Sequence, residues 1–147
     1  MTFQFVLNTS SARSVEELFK ASLSIDAHLE SMSASEETAI GGITRGQIGL
    51  GETVRWRARH FGIWWTMTSK VVELEAPHYF IDEQQRGPFK QFRHLHRFES
   101  QGAMTVMTDT LTVTAPLGPL GWLAEKIFLK SYLRKLIEER NKFLVGA

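Results

Sequence analysis

From Glu52 to Ala115 the chain alternates inward and outward side chains, and only short turns interrupt it. Val54, Trp56, Ala58 and His60 alternate with Arg55, Arg57 and Arg59. Successive side chains on a strand point to opposite sides, and the arginines belong in water, so the other four face inward. Phe61-Gly62 is a turn, and Ile63 to Glu75 is the returning strand. Ala76-Pro77 breaks it, residues 78–86 form the next strand, and Gly87-Pro88 marks another turn. Strands 90–99 and 103–115 follow, joined at Gln101-Gly102. Parallel neighbours need crossovers of roughly a dozen residues or more, so connections this short dictate antiparallel hairpins.

The flanks supply helices. Phe3, Phe5 and Leu7 alternate with polar residues and predict a first strand near residues 2–9. Ser14-Val15-Glu16-Glu17 fits a capping box, with Ser14 as N-cap, and opens a short helix to about Ala21. A second short helix spans about 24–31, and residues 31–38 read as a loop into a short strand. The stretch from Gly41 to Gly51 holds five glycines but lacks the Gly-Lys-Ser/Thr ending of a phosphate loop. It reads as a flexible connection that could gate a cavity. Pro116-Leu117-Gly118-Pro119 ends the sheet. A long helix from about Pro119 to Leu144 then carries Leu120, Leu123, Ile127, Leu133, Leu136, Ile137 and Phe143 at helical spacing. Glu125, Lys126, Lys130, Arg134, Lys135, Glu138 and Glu139 form its charged face. Such a helix needs an apolar surface to cover, and the concave face of the sheet is the available one.

The 147 residues are expected to form a single domain, 1–147, with one substantial core. Cysteine is absent, which removes disulfides, thiolate zinc sites and cysteine nucleophiles. The first residues, Met1 to Leu7, lack a basic n-region and a long apolar h-region, so no signal peptide is expected, and no apolar run approaches the ~18 residues of a membrane span. A cytoplasmic protein is the default expectation. Lys and Arg number 17 against 16 Asp and Glu, so net charge gives no general argument for nucleic acid. Arg55, Arg57, Arg59, Arg93 and Arg97 share the outer face, with Glu73, Glu99 and Asp82 expected to be interleaved there.

The inward face holds polar groups where apolar ones are expected. Phe92, His94, His96 and Phe98 share one side of their strand, and Asp109 shares a side with Met107, Leu111 and Val113. Buried imidazoles and carboxylates need hydrogen-bond partners. Pairing around Gln101-Gly102 would set Phe98 near Thr105 and His94 near Asp109. His94 and His96 can orient or exchange protons with a carbonyl or phenolic ligand, since histidine titrates near neutrality. They can equally hold a metal with Asp109 or His60, or form a purely structural His–Asp network. No nucleotide fingerprint or Ser-His-Asp arrangement is evident. Asp82 and Glu83 are neighbours on a strand and cannot act as a pair.

The order of elements resembles the helix-grip fold of the START-like (SRPBCC) superfamily. The local matches are Val54-Arg55-Trp56-Arg57-Ala58-Arg59-His60-Phe61-Gly62, Asp82, Gly87-Pro88-Phe89, His94-Leu95-His96-Arg97-Phe98, Asp109 and Pro116-Leu117-Gly118-Pro119-Leu120-Gly121. These resemble the bacterial polyketide-cyclase/dehydrase-like and lipid-transport branch, over nearly the whole chain. The resemblance implies an α+β fold with a curved antiparallel sheet of about six to seven strands around a long C-terminal helix. It implies a cavity walled by Trp56, Ala58, His60, Trp65, Met67, Phe92, His94, His96, Met107, Asp109 and Leu111, with Leu123, Ile127 and Phe128 on the helix. The expected partner is a small hydrophobic or aromatic ligand, polyketide- or lipid-like, and no cofactor or metal is expected. A cyclase, aromatase or dehydratase using His94, His96 and Asp109 as acid and base is the enzymatic alternative. An RNA- or ribosome-associated module using the outer arginines is the third. Oligomeric state is open.

Overall fold

The computed structural model describes residues 2–115 and 128–146. Its elements are β1 (Thr2–Ser11), α1 (Val15–Ser22), α2 (Ile25–Ser31), a single 3-10 turn at Ser33–Ser35, β2 (Thr38–Gly42), β3 (Thr53–His60), β4 (Ile63–Glu75), β5 (Tyr79–Arg86), β6 (Gln91–Gln101), β7 (Met104–Thr114) and α3 (Lys130–Gly146). The strands form one curved sheet in the order β1-β7-β6-β5-β4-β3-β2, antiparallel throughout. Strands β2 to β7 are a meander, and β1 closes on the last of them. The connection from β1 to β2 must therefore run from one edge to the other, and α1 and α2 lie along it. No helix among the described residues is long and apolar enough to cross a membrane. The expected helix start at Pro119, with Leu120, Leu123 and Ile127, lies outside the described residues.

Two apolar clusters hold the helices to the sheet. In the first, α1 inserts Leu18 and Phe19 against Phe80, Phe98 and Met107, and α3 adds Leu144. Phe19 meets Phe80 and Phe98 edge-on, with ring centroids 5.8 and 5.4 Å apart. Such aromatic pairs add about 1 kcal/mol beyond area burial. In the second, Leu133 of α3 packs on Phe5, Leu7, Leu111 and Val113 of β1 and β7. The N-cap of α1 forms as the capping box requires: the Ser14 hydroxyl accepts from the Glu17 N–H at 3.1 Å. Ser14→Ala orphans that donor and should destabilise the protein by about 1 kcal/mol, read as a lower urea midpoint at unchanged slope.

Two expectations differ from the structure. The β6–β7 hairpin turns at Gly102-Ala103, with Gln101 opposite Met104, so Phe98 faces Met107 and His96 faces Asp109. Gly102 carries a φ of +64°, a conformation glycine adopts freely, and this sets the loop one residue later than Gln101-Gly102. The glycine-rich segment is also pinned rather than free. Ile25 N–H bonds the Gly46 carbonyl, Ile48 N–H the Leu23 carbonyl, and Gly51 N–H the Val71 carbonyl. Ile48 is buried in the core, so one apolar side chain anchors the whole segment.

Candidate functional site

A cavity of about 390 Å³ lies between the sheet, α2 and α3. Its sheet wall includes Trp56, Ala58, His60, Trp65, Met67, Phe92, His94 and His96. Met107, Asp109 and Leu111 were expected on the wall, but they are fully buried and absent from the lining. They lie on β7, where the two apolar clusters and the histidines cover them. Leu123 and Ile127 lie outside the described residues. Phe128 is more than half exposed and is not on the lining. Of the adjacent tryptophans, Trp65 lines the cavity, and Trp64 lies under the Arg57 guanidinium at 4.3 Å.

The sequence reading missed several wall residues. His28 of α2 lies against Trp56, with ring centroids 4.3 Å apart and planes tilted by 35°, and shares a 2.7 Å hydrogen bond with Glu37. Tyr132 of α3 shares a 2.6 Å hydrogen bond with His60 Nδ1. Asp82 was expected on the outer face and points inward instead. Buried Phe80 sets the parity of β5, and Asp82, two residues on, shares its side. Arg140 sits three residues beyond Ile137 and seven beyond Leu133, on the inward stripe of α3, and is 4% exposed. That spacing was the available signal.

Asp82 and Arg140 join His94, His96, Asp109 and Asn141 in one largely buried polar cluster at the cavity wall. Asp82 is opposite His94 in the β5–β6 register, and Asp109 is opposite His96 in the β6–β7 register. Each histidine bonds the diagonal carboxylate instead. His94 Nε2 donates to Asp109 Oδ1 at 2.7 Å, and His96 Nε2 donates to Asp82 Oδ2 at 2.6 Å. Diagonal neighbours on a sheet are within reach of long side chains. The two imidazoles stack at 3.6 Å, and Phe80 stacks on His96 at 4.1 Å. Arg140 donates from Nη1 to Asp109 Oδ1 at 3.4 Å and to Asn141 Oδ1 at 3.1 Å, and from Nη2 to His96 Nδ1 at 3.3 Å. Asn141 Nδ2 donates to Asp109 Oδ2 at 2.7 Å.

The network assigns protons and charges. Burial alone would raise Asp109, but the His94 hydrogen bond and the nearby positive charges hold it well below the usual carboxylate range. Burial likewise opposes Asp82, and its His96 hydrogen bond overcomes it, so this carboxyl is lowered too. Burial lowers His96, its neighbour His94 adds to this, and Asp82 offsets part; the net value is about 4. His96 is therefore neutral at pH 7. Because Arg140 donates to Nδ1, the His96 proton sits on Nε2 and is committed to Asp82.

His94 differs. Its Nε2–H is held by Asp109, and Nδ1 has no hydrogen-bond partner among the described residues. Neutral, this imidazole offers Nδ1 as an acceptor, and protonated it offers the same atom as a donor. Metal-ligating atoms of Asp82, His94 and His96 lie within 4.8 Å of one another. With His96 protonated on Nε2 toward Asp82 and bonded to Arg140 on Nδ1, that residue has no free lone pair for an ion. The arrangement as bonded suits ligand orientation and proton exchange.

The outer arginines are not one patch. Arg93 lies 3.7 Å from Glu73 and 3.8 Å from Glu83, and Arg97 lies over Tyr79 at 5.4 Å. Arg55, Arg57 and Arg59 are exposed on β3, and no ion pair involves them among the described residues.

No protein-family model matches the chain, and no curated protein matches it in sequence. Solved structures match its shape over nearly the full length. The Zhui aromatase/cyclase from Streptomyces sp. R1128 superposes with a TM-score of 0.79 at 12% identity, covering 99% of this chain and 93% of that one. TTHA0849 from Thermus thermophilus gives 0.76 at 14% identity over 97% of each chain. The major latex-like protein 151 from Panax ginseng gives 0.62 at 12% identity over 95% of each. Identities this low establish the fold alone. The chain has the helix-grip architecture of START-like proteins.

Proposed function

We propose that the cavity binds a small hydrophobic or aromatic ligand, polyketide- or lipid-like, and that His94 holds its hydroxyl, enol or carbonyl group. One observation carries this reading: a buried imidazole on the cavity wall is fixed by Asp109 through one nitrogen and left without a hydrogen-bond partner among the described residues at the other. A purely structural His–Asp pair has no need of a cavity beside it. Apolar walls with a few convergent polar groups are the usual make-up of a small-molecule site. Arg140 and His96 position the pair, and Trp56 and Trp65 supply the aromatic wall. The expected site residues that line the cavity thereby acquire a role as contacts, and Met107, Asp109 and Leu111 acquire one as support.

The same geometry favours one enzymatic reading. A carboxylate-fixed imidazole beside a cavity can take and return a proton, as cyclisation, aromatisation or dehydration of a polyketone requires. The shape shared with an aromatase/cyclase agrees with this reading.

The test is a tryptophan-fluorescence titration with 2-naphthol and with naphthalene. The wild type should bind the naphthol about tenfold more tightly, because only the naphthol has a hydroxyl for Nδ1. His94→Phe keeps a ring at this position but loses the Nδ1 acceptor, and should abolish that preference, with circular dichroism reporting the fold. Equal affinity for both compounds in the wild type would make His94 structural. Turnover of a cyclisable polyketone that vanishes in His94→Phe would establish the enzymatic reading.

A further inference from the structure

Five of the exposed large apolar side chains among the described residues gather at the rim of the cavity. Phe61 and Ile63, at the tip of the β3–β4 hairpin, and Phe128, just before α3, are each more than half exposed. Phe61 touches Phe128 and Tyr132, with ring centroids 5.2 and 4.5 Å apart, which joins the hairpin tip to the helix. Trp64 and Trp65 add 43% and 38% exposed rings on the two sides of β4. Phe61 and Trp65 also line the cavity, so its mouth opens through this patch. Apolar groups clustered on one edge this way mark an interaction site rather than ordinary surface.

The charge around the patch names its partner. The hairpin from Thr53 to Val72 contains Arg55, Arg57, Arg59 and Lys70 and no Asp or Glu, in a chain whose net charge is only +1. Arg57 and Arg59 flank Trp64 at 4.3 and 5.9 Å. Residues 128–137 contain no carboxylate either, and Lys135 follows Phe128 and Tyr132 along one helical stripe. Protruding Phe and Ile, tryptophans at their edge and the cations Arg57 and Arg59 beside them match an anionic bilayer surface: hydrocarbon takes the first, headgroups the last. Single-stranded nucleic acid would need open ring faces along a basic groove. Here the Trp64 ring already meets the Arg57 guanidinium, and the apolar groups project from a turn.

We propose that the β3–β4 hairpin tip, with Phe128 and its flanking cations, docks the cavity mouth on anionic membrane lipid. Docking does not depend on what the cavity holds. If the cavity takes a lipid-like ligand, as proposed above, its mouth faces the phase in which that ligand dissolves.

Sedimentation of the full chain with vesicles of equal phosphatidylglycerol and phosphatidylcholine tests this. The protein should partition onto these vesicles about tenfold better than onto pure phosphatidylcholine, with the difference falling as salt is raised. Phe61→Ser with Ile63→Ser should reduce partitioning at least about tenfold, and Arg57→Gln with Arg59→Gln should remove the preference for anionic lipid. Both pairs are exposed, so circular dichroism should report an intact fold. Failure to bind either vesicle would overturn the proposal, as would unchanged binding in Phe61→Ser/Ile63→Ser. Binding of an oligouridylate without binding of vesicles would reassign the face to nucleic acid. Naphthol titration of the Arg57→Gln/Arg59→Gln protein separates the two claims, since neither arginine lines the cavity and docking can fail while the cavity still binds.

Discussion

Arg140→Met should remove about 3–5 kcal/mol of stability, a large part of what a domain of this size possesses. The side chain is 4% exposed and donates to Asp109, Asn141 and His96. Methionine fills much of the volume, so little of the loss comes from a cavity. What remains is a carboxylate at Asp109 with no accessible surface and without its guanidinium partner, together with an orphaned acceptor at His96 Nδ1. Urea denaturation at pH 7 measures the loss. Arg140→Met combined with Asp109→Asn removes both charges and should recover part of it, because a neutral amide needs no counterion. A loss below about 1 kcal/mol in the single variant would mean that water reaches the cluster and screens it. A double variant as unstable as the sum of the two singles would mean that Arg140 and Asp109 do not act as a pair. Either result would weaken the case that the cluster holds His94 in place.

The fold was legible because its signals are local. Val54 to His60 alternates with arginines, and the hairpin turns are short, so antiparallel strands and their inward faces follow from side-chain geometry alone. Ser14 announced the start of α1 through its own hydroxyl. The inward direction of His94 and His96 was equally accessible, since parity along a strand needs no knowledge of the neighbour. Partnership was not accessible in the same way. A turn at Gly102-Ala103 moves every β6–β7 pair by two residues from the expected register. The His94–Asp109 bond nevertheless forms, because it runs diagonally across the ladder and not straight across it. Asp82 was read as an outer-face acid because its type suggested water, whereas Phe80 beside it decides the parity of β5. Arg140 was passed over for the same reason: residue type outweighed its place on the apolar stripe of α3. The glycine-rich segment misled in the opposite sense. Its composition signals freedom, and the backbone bonds to Leu23, Ile25 and Val71 that hold it come from distant parts of the chain.

The same cluster makes stability depend on pH, and the direction is fixed by the shifts. His96 titrates at about 4 in the folded protein against 6.5 when unperturbed. Between these values the unfolded chain binds more protons than the folded one, so stability rises with pH across this window. As pH falls from about 6.5 to 4, His96 alone withdraws roughly 3 kcal/mol. His60, lowered by burial and only partly restored by Glu37, acts in the same direction. The carboxylates come next. Asp82 and Asp109 are both held below their ordinary value of 3.8, so their contribution is complete above it and is lost as pH falls further. Acid should therefore destabilise the protein in two successive stages, an imidazole stage and then a carboxylate stage. Urea midpoints at pH 7, 5.5 and 4.5 measure the first. His96→Gln should flatten it, because the variant has no imidazole at this position to protonate on unfolding. A midpoint that stays level or rises on acidification in the wild type would contradict a neutral, buried His96. Salt separates this effect from surface charge, since screening acts on exposed groups and leaves a 3% exposed imidazole largely untouched.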